Sequence, residues 1–194
     1  EANMESNTVR IPAYKFRGEL YTDTTELVQA LASDWDNGKK QLYRGLLTGF
    51  FMACDPEIAE ACMDAEDNVT KHGENEDVAF WKLLYKMVPG MNALFWKNQK
   101  YESLKVFGTD LMEKLRSGNV EECPVWNEML SYGLISSYMK AHKFSEAQVN
   151  GAESIESSVR LNKANAKTMA LDYYLLAYLI SGDREFVLAG RHFD

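Results

Sequence analysis

The stretch that decides the fold is Leu42–Val69, LYRGLLTGFFMACDPEIAEACMDAEDNV. Its first half sets Leu42/Tyr43, Leu46/Leu47 and Phe50/Phe51 in pairs one helical turn apart, the broad apolar stripe of a core helix. Asp55-Pro56-Glu57 then reads as a helix start: a capping acid, a proline whose missing N–H is not needed at the first helical position, and an acid near the positive end of the dipole. Ile58, Cys62, Ala65 and Val69 continue at helical spacing, and Gly73 ends the segment.

Working outward, the same signals recur. Upstream, Asp23 with Glu26 forms a capping-box-like start for Leu27, Leu31 and Trp35, and Asp36-Asn37-Gly38 reads as a break. Residues 1–13 are polar and aperiodic, a flexible arm, and Tyr14–Tyr21 alternates around Gly18 as a short hairpin or extended segment does. Downstream, Asn75 opens a helix carrying Phe80, Leu83, Leu84 and Met87, which Pro89-Gly90 stops. Leu104, Phe107, Leu111 and Leu115 define a fifth helix, closing at Ser117-Gly118. A sixth follows Pro124, with Trp126, Leu130, Leu134 and Tyr138 on one face. Ser145 caps a seventh containing Val149, Ile155 and Val159, and an eighth covers 163–180 with Met169, Tyr173, Ala177 and Ile180.

About eight helices joined by short loops describe an all-α fold, a bundle or short helical array with short extended segments at the two ends. No period of 34 or about 40 residues repeats cleanly, and the tetratricopeptide signature is absent. The expected organisation is an arm over 1–13, a helical domain over 14–183 and a terminal extended segment over 184–194. That last segment, Leu188-Ala-Gly190-Arg-His-Phe193, resembles Phe16-Arg-Gly18-Glu-Leu-Tyr21 in its glycine and aromatic spacing. The likeness suits the start of a following unit, or two ends that pair in one small sheet.

Composition narrows the function classes. The chain has 194 residues, 46% of them hydrophobic, enough for a sizeable core. Its net charge of −8 disfavours nucleic acid, whose phosphates it repels. Charge is uneven: nine carboxylates stand against Lys71 between Asp55 and Asp77, whereas seven bases dominate from Trp81 to Arg116. Two complementary neighbouring segments explain this, and so does an acidic face for a partner. The aromatic-basic mixture at Trp81–Lys86 and Phe95–Tyr101 reads as core aromatics with solvent-facing lysines. Cys54, Cys62 and Cys123 lack metal-ligand spacing; the first two read as small core residues of a reducing compartment, so a cytoplasmic location is expected. No run approaches the length of a membrane span.

Catalytic motifs are missing. There is no Gly-x-Ser-x-Gly elbow, His-Glu-x-x-His helix, phosphate-binding loop, or Glu-x-x-His pair for a di-iron bundle. Asp34-Trp-Asp36-Asn-Gly38 imitates the start of a calcium loop, but Gly45 stands where a bidentate glutamate is required. His72 and His142 fall at helix ends, where a histidine suits the dipole. No residue is assigned a catalytic, cofactor-binding or metal-ligating role. The expected function is a non-catalytic protein–protein interaction or scaffold module of a larger protein, with a protein partner, no nucleic acid, no membrane, and room for a homo-oligomer. The alternative is an enzyme or small-ligand-binding helical domain whose site assembles only in three dimensions. A pocket uniting several of Asp64, Glu66, His72, Tyr85 and His142 favours the alternative; a face with exposed Trp or Tyr favours the scaffold.

Overall fold

A computed structural model describes residues 10–118, 124–161, 176, 179 and 180. Helices dominate them, joined by two small two-stranded sheets. The chain divides into two compact units: residues up to Met91 with Phe95–Lys100, and Asn92–Leu94 with everything from Tyr101 onward.

The first unit begins with a hairpin of β1 (Arg10–Phe16) and β2 (Glu19–Asp23). Arg17 and Gly18 both have positive φ (52° and 83°), the backbone of a tight hairpin turn whose twist matches the strands. Strand β1 therefore starts inside the expected arm. An irregularity in pairing between Arg10 and Tyr14 shifts its alternation, which lets Ile11, Tyr14 and Phe16 all face inward.

Asp23 caps α1 (Thr24–Ser33) by accepting from the Glu26 amide at 2.9 Å, as the spacing predicted. The break after α1 falls at Asp34, not at Asp36-Asn37-Gly38, which lies inside α2 (Trp35–Tyr43). The reason is tertiary: Gly38 is a point of close approach, since a Cβ there would sit 2.3 Å from the Leu31 carbonyl oxygen. Gly45 (φ 75°) then splits what periodicity reads as one helix into α2 and α3 (Leu46–Cys54). Asp55 caps α4 (Pro56–Thr70) from the Ile58 amide at 3.3 Å, and Asn75 caps α5 (Glu76–Met87) from the Asp77 and Val78 amides.

Helix α5 is the centre of this unit, with eight of its twelve residues buried. Trp35 lies edge-on to Phe80 (4.8 Å) and Trp96 (5.8 Å), and its indole donates to Asp77 Oδ1 at 2.8 Å. Lys39 reaches the same oxygen at 2.8 Å and Glu76 Oε2 at 4.0 Å, and Tyr43 donates to the Glu76 carbonyl at 2.6 Å, so α2 is tied to the start of α5 by four polar contacts. The aromatics of α5 face the core while Lys82 and Lys86 are exposed, as expected.

A hairpin of β3 (Leu94–Trp96) and β4 (Gln99–Tyr101) lies in mid-chain, so extended structure is not confined to the ends. In the second unit, Ser103 caps α6 (Leu104–Ser117), and Gly118 (φ 74°) ends it. Tyr101, Phe107 and Trp126 cluster there, the Trp126 indole donating to the Tyr101 hydroxyl at 3.1 Å. The expected sixth helix is two, α7 (Pro124–Ser131) and α8 (Leu134–Ala141), because Gly133 takes φ 71°. Ser145 and Gln148 form a reciprocal capping box for α9 (Glu146–Leu161). Leu176, Leu179 and Ile180 are helical, and Gly108 and Gly151 make room for Ile180 and Leu179. The rest of the expected eighth helix, Cys123, the segment 184–194 and its likeness to the hairpin lie outside the described residues.

Candidate interaction surface

Helix α3 is built almost entirely of apolar residues, with Thr48 and Gly49 the exceptions, yet only Leu47 and Phe51 are fully buried. At about 100° per residue, those two define the inner face and Leu46, Gly49, Met52 and Ala53 fall on the outer one. Leu46 is 49% exposed and Met52 64%, and Ala53 and Gly49 are also exposed. A surface helix normally turns polar groups outward; this one turns none. Phe50, at the inner edge, is half-buried edge-on to Tyr14 at 4.9 Å.

Met63 on α4 extends the patch. Thr48 donates to Glu66 Oε2 at 3.2 Å, which sets the register of the antiparallel α3–α4 pair. Met52, one turn after Thr48, is thus level with Cys62 and Met63, one turn before Glu66. Thr48 and Met52 share one flank of α3, and Met63 lies beside Glu66 on α4, so the two methionines border one seam. Met63 is 42% exposed. Burying an apolar side chain of this size contributes about 1.5–3 kcal/mol when complete, so the patch holds several kcal/mol of unused burial.

Carboxylates stand along the outer side of α4. Glu60 and Asp64 are exposed and have no ionic partner among the described residues, while Asp67 pairs with Lys71 at 3.0 Å. Cys54, at the end of α3, is exposed rather than a core residue, because the helix terminates there; Cys62 is buried, which raises its thiol to about 12 with help from the nearby Glu66 carboxylate.

Of the five residues whose convergence would point to a reaction site, four lie in the first unit and His142 lies in the second. Asp64 and His72 are exposed, Glu66 is engaged with Thr48, and Tyr85 is buried with its hydroxyl accepting from the Phe95 amide. In the second unit His142 stacks on Tyr138 at 3.8 Å, with Nδ1 2.9 Å from the Tyr138 carbonyl oxygen. A cleft of about 360 Å³ in the first unit is lined by Thr24, Asp55, Glu57, Ile58, Ala61, Lys86 and Met87, none of them from that set. Among the described residues, no three His, Cys, Asp or Glu side chains gather as a metal site, and no helix is long and apolar enough to cross a membrane. The four tryptophans are all buried and Tyr132 of the second unit is exposed, whereas the outer face of α3 carries leucine and methionine in place of the expected Trp or Tyr.

Among the described residues of the second unit one carboxylate, Glu156, is buried, and it serves a helix start. Its Oε2 accepts from the Ser136 amide at 3.3 Å, serving the start of α8, where Gly133 offers no side-chain cap. Burial raises its carboxyl above the ordinary 4.5, outweighing the Ser136 hydrogen bonds and the Arg160 charge. At a pH between the unfolded and folded values the folded state binds more protons than the unfolded chain, so this group's contribution to stability is fullest below 4.5 and declines as pH rises through the folded value. Glu156→Gln keeps an acceptor without the charge, so its stability relative to the parent should improve steadily from acid to neutral pH. Glu156→Ala strands the Ser136 amide and should cost about 1–3 kcal/mol. Paired denaturation curves across pH check both; parallel pH profiles for parent and Gln variant contradict the assignment.

No family model, curated protein or solved structure matches this chain.

Proposed function

We propose that this chain is a protein-interaction module whose docking surface is the outer face of α3, extended by Met63 and receiving a helical segment of another protein. A single observation carries the reading: an entire outward helix face without one polar side chain, in a unit that buries its three tryptophans. Methionine suits such a surface, because its unbranched, polarizable side chain adapts to different partners at little cost. The free thiols of Cys54 and Cys62 agree with a reducing, cytoplasmic setting.

The test uses the full chain with 13C-labelled methionine methyls and synthetic amphipathic helices of about 18 residues, long enough to hold helical structure. The peptides share one leucine face and differ only in a Lys, Gln or Glu polar face. At least one should move the Met52 and Met63 resonances selectively and saturably. Met52→Glu should weaken that peptide about tenfold or more, the equivalent of roughly 1.4 kcal/mol, while moving stability by no more than about 0.5 kcal/mol, as exposed substitutions do. If no peptide of any charge moves these methyls, the α3 face is not a docking surface.

A further inference from the structure

Resting on that reading, we infer that the partner is a basic amphipathic helix, its apolar side seated on Leu46, Met52 and Met63 and its lysines or arginines facing Glu60 and Asp64. The argument is one of charge beside an apolar seam. Met52 and Met63 lie level with the middle of α4, where Glu60 and Asp64 are exposed without ionic partners among the described residues. The cations around α3 and α4 stand elsewhere: Lys71 is paired with Asp67 at the far end of α4, Arg44 precedes α3 at that same end of the antiparallel pair, Lys86 lines the cleft shared with Glu57, and exposed Lys15 follows Tyr14, which packs on Phe50 at the flank of α3 away from Met52. The negative field is therefore concentrated at the methionine end of the seam, and the net charge of −8 adds long-range attraction for a cation.

The same charges argue against the other occupants. A second copy of this chain, docked face to face about a two-fold axis, brings each Glu60 and Asp64 into the neighbourhood of its symmetry mate, with no cation from this seam to neutralise them. An acidic helix meets the same repulsion. A neutral apolar helix gains the burial but none of the charge pairing, so it binds more weakly than a basic one of equal hydrophobicity.

The experiment compares the Lys-faced and Glu-faced peptides by the methionine methyl shifts of the full chain. The Lys peptide should bind about tenfold or more tightly than the Glu peptide, and its affinity should fall severalfold as salt rises from about 0.05 to about 0.5 M, where screening shortens the reach of exposed charges. The double variant Glu60→Lys/Asp64→Lys, at exposed positions that leave packing intact, should reverse the order of the two peptides. Equal binding of both peptides, an unchanged order in the double variant, or methionine shifts that instead track protein self-association on concentration each overturn the basic-helix inference while leaving α3 a docking surface. Silence toward every peptide overturns the docking surface itself, and the inference with it.

Discussion

Gly38→Ala should destabilise the first unit by about 3 kcal/mol, the upper part of the range for overpacking a filled interior. Helix propensity predicts the opposite, since alanine in a helix interior is favoured over glycine by up to about 1 kcal/mol. Geometry decides between them. The added Cβ would lie 2.3 Å from the Leu31 carbonyl oxygen, 3.0 Å from its carbon and 3.0 Å from Phe80 Cζ. Two of those atoms are backbone, which cannot rotate aside as a side chain can. Relief requires α1 and α2 to separate, loosening Leu27, Leu31 and Trp35 from α5. Gly49→Ala supplies the contrast: that glycine is also helical, nothing lies within 4 Å of the added atom, and a gain of about 0.5–1 kcal/mol is expected. Urea denaturation followed by far-ultraviolet circular dichroism, with the two variants side by side, should shift in opposite directions. A stabilised Gly38→Ala variant would show that the two helices are not in contact at this point.

Trp35→Ala is expected to cost about 4 kcal/mol, within the range for deleting a fully buried aromatic side chain. Two separate losses contribute. The indole fills space against Phe80 and Trp96, and its removal leaves a cavity among rigid rings. Its N–H is also one of two donors on Asp77 Oδ1, with Lys39 the other. Burial alone would raise the Asp77 carboxyl, but the hydrogen bonds from Lys39 and Trp35 outweigh it and hold the group below its ordinary value of 3.8. Its contribution is thus present above that value and lost as pH falls through the folded one. Trp35→Phe separates the two losses: most of the ring contact stays while the donor goes, and about 1–2 kcal/mol is expected. Hydrogen exchange should place the loosened amides in α1, α2 and α5, leaving those of α9 protected. A Trp35→Ala variant as stable as the parent would refute the packing described for this core.

Much of the fold was legible because it depends on neighbours in the chain. Asp23, Asp55, Asn75 and Ser145 each stand at a helix start, and a capping oxygen only has to reach an amide two or three residues away. The alternation around Gly18 read as a short hairpin or extended segment for the same local reason, and the structure makes it a hairpin. The surface that we propose to be functional was legible only in its parts. The apolar run Leu46–Cys54 and the carboxylates after Asp55 were visible, but periodicity assigned the run to a core helix, and an apolar helix looks alike whether one side or every side is covered.

The sequence by itself determined that this chain is helical, where most of its helices begin, that the aromatics of α5 go inside, and that acid is concentrated after Asp55, because caps, turns and period act over a few residues. Tertiary structure alone decided where long apolar stretches are cut, what the glycines are for, and which face of α3 stays uncovered. Gly38 is the clearest instance. A glycine after Asp-Asn reads as a turn in any local account, and only the Leu31 carbonyl of another helix, pressed against the place where a Cβ would be, makes it a packing residue within a helix. Exposure of Leu46 and Met52 has the same origin, since burial is a property of what arrives from elsewhere in the chain and not of the residue that is covered.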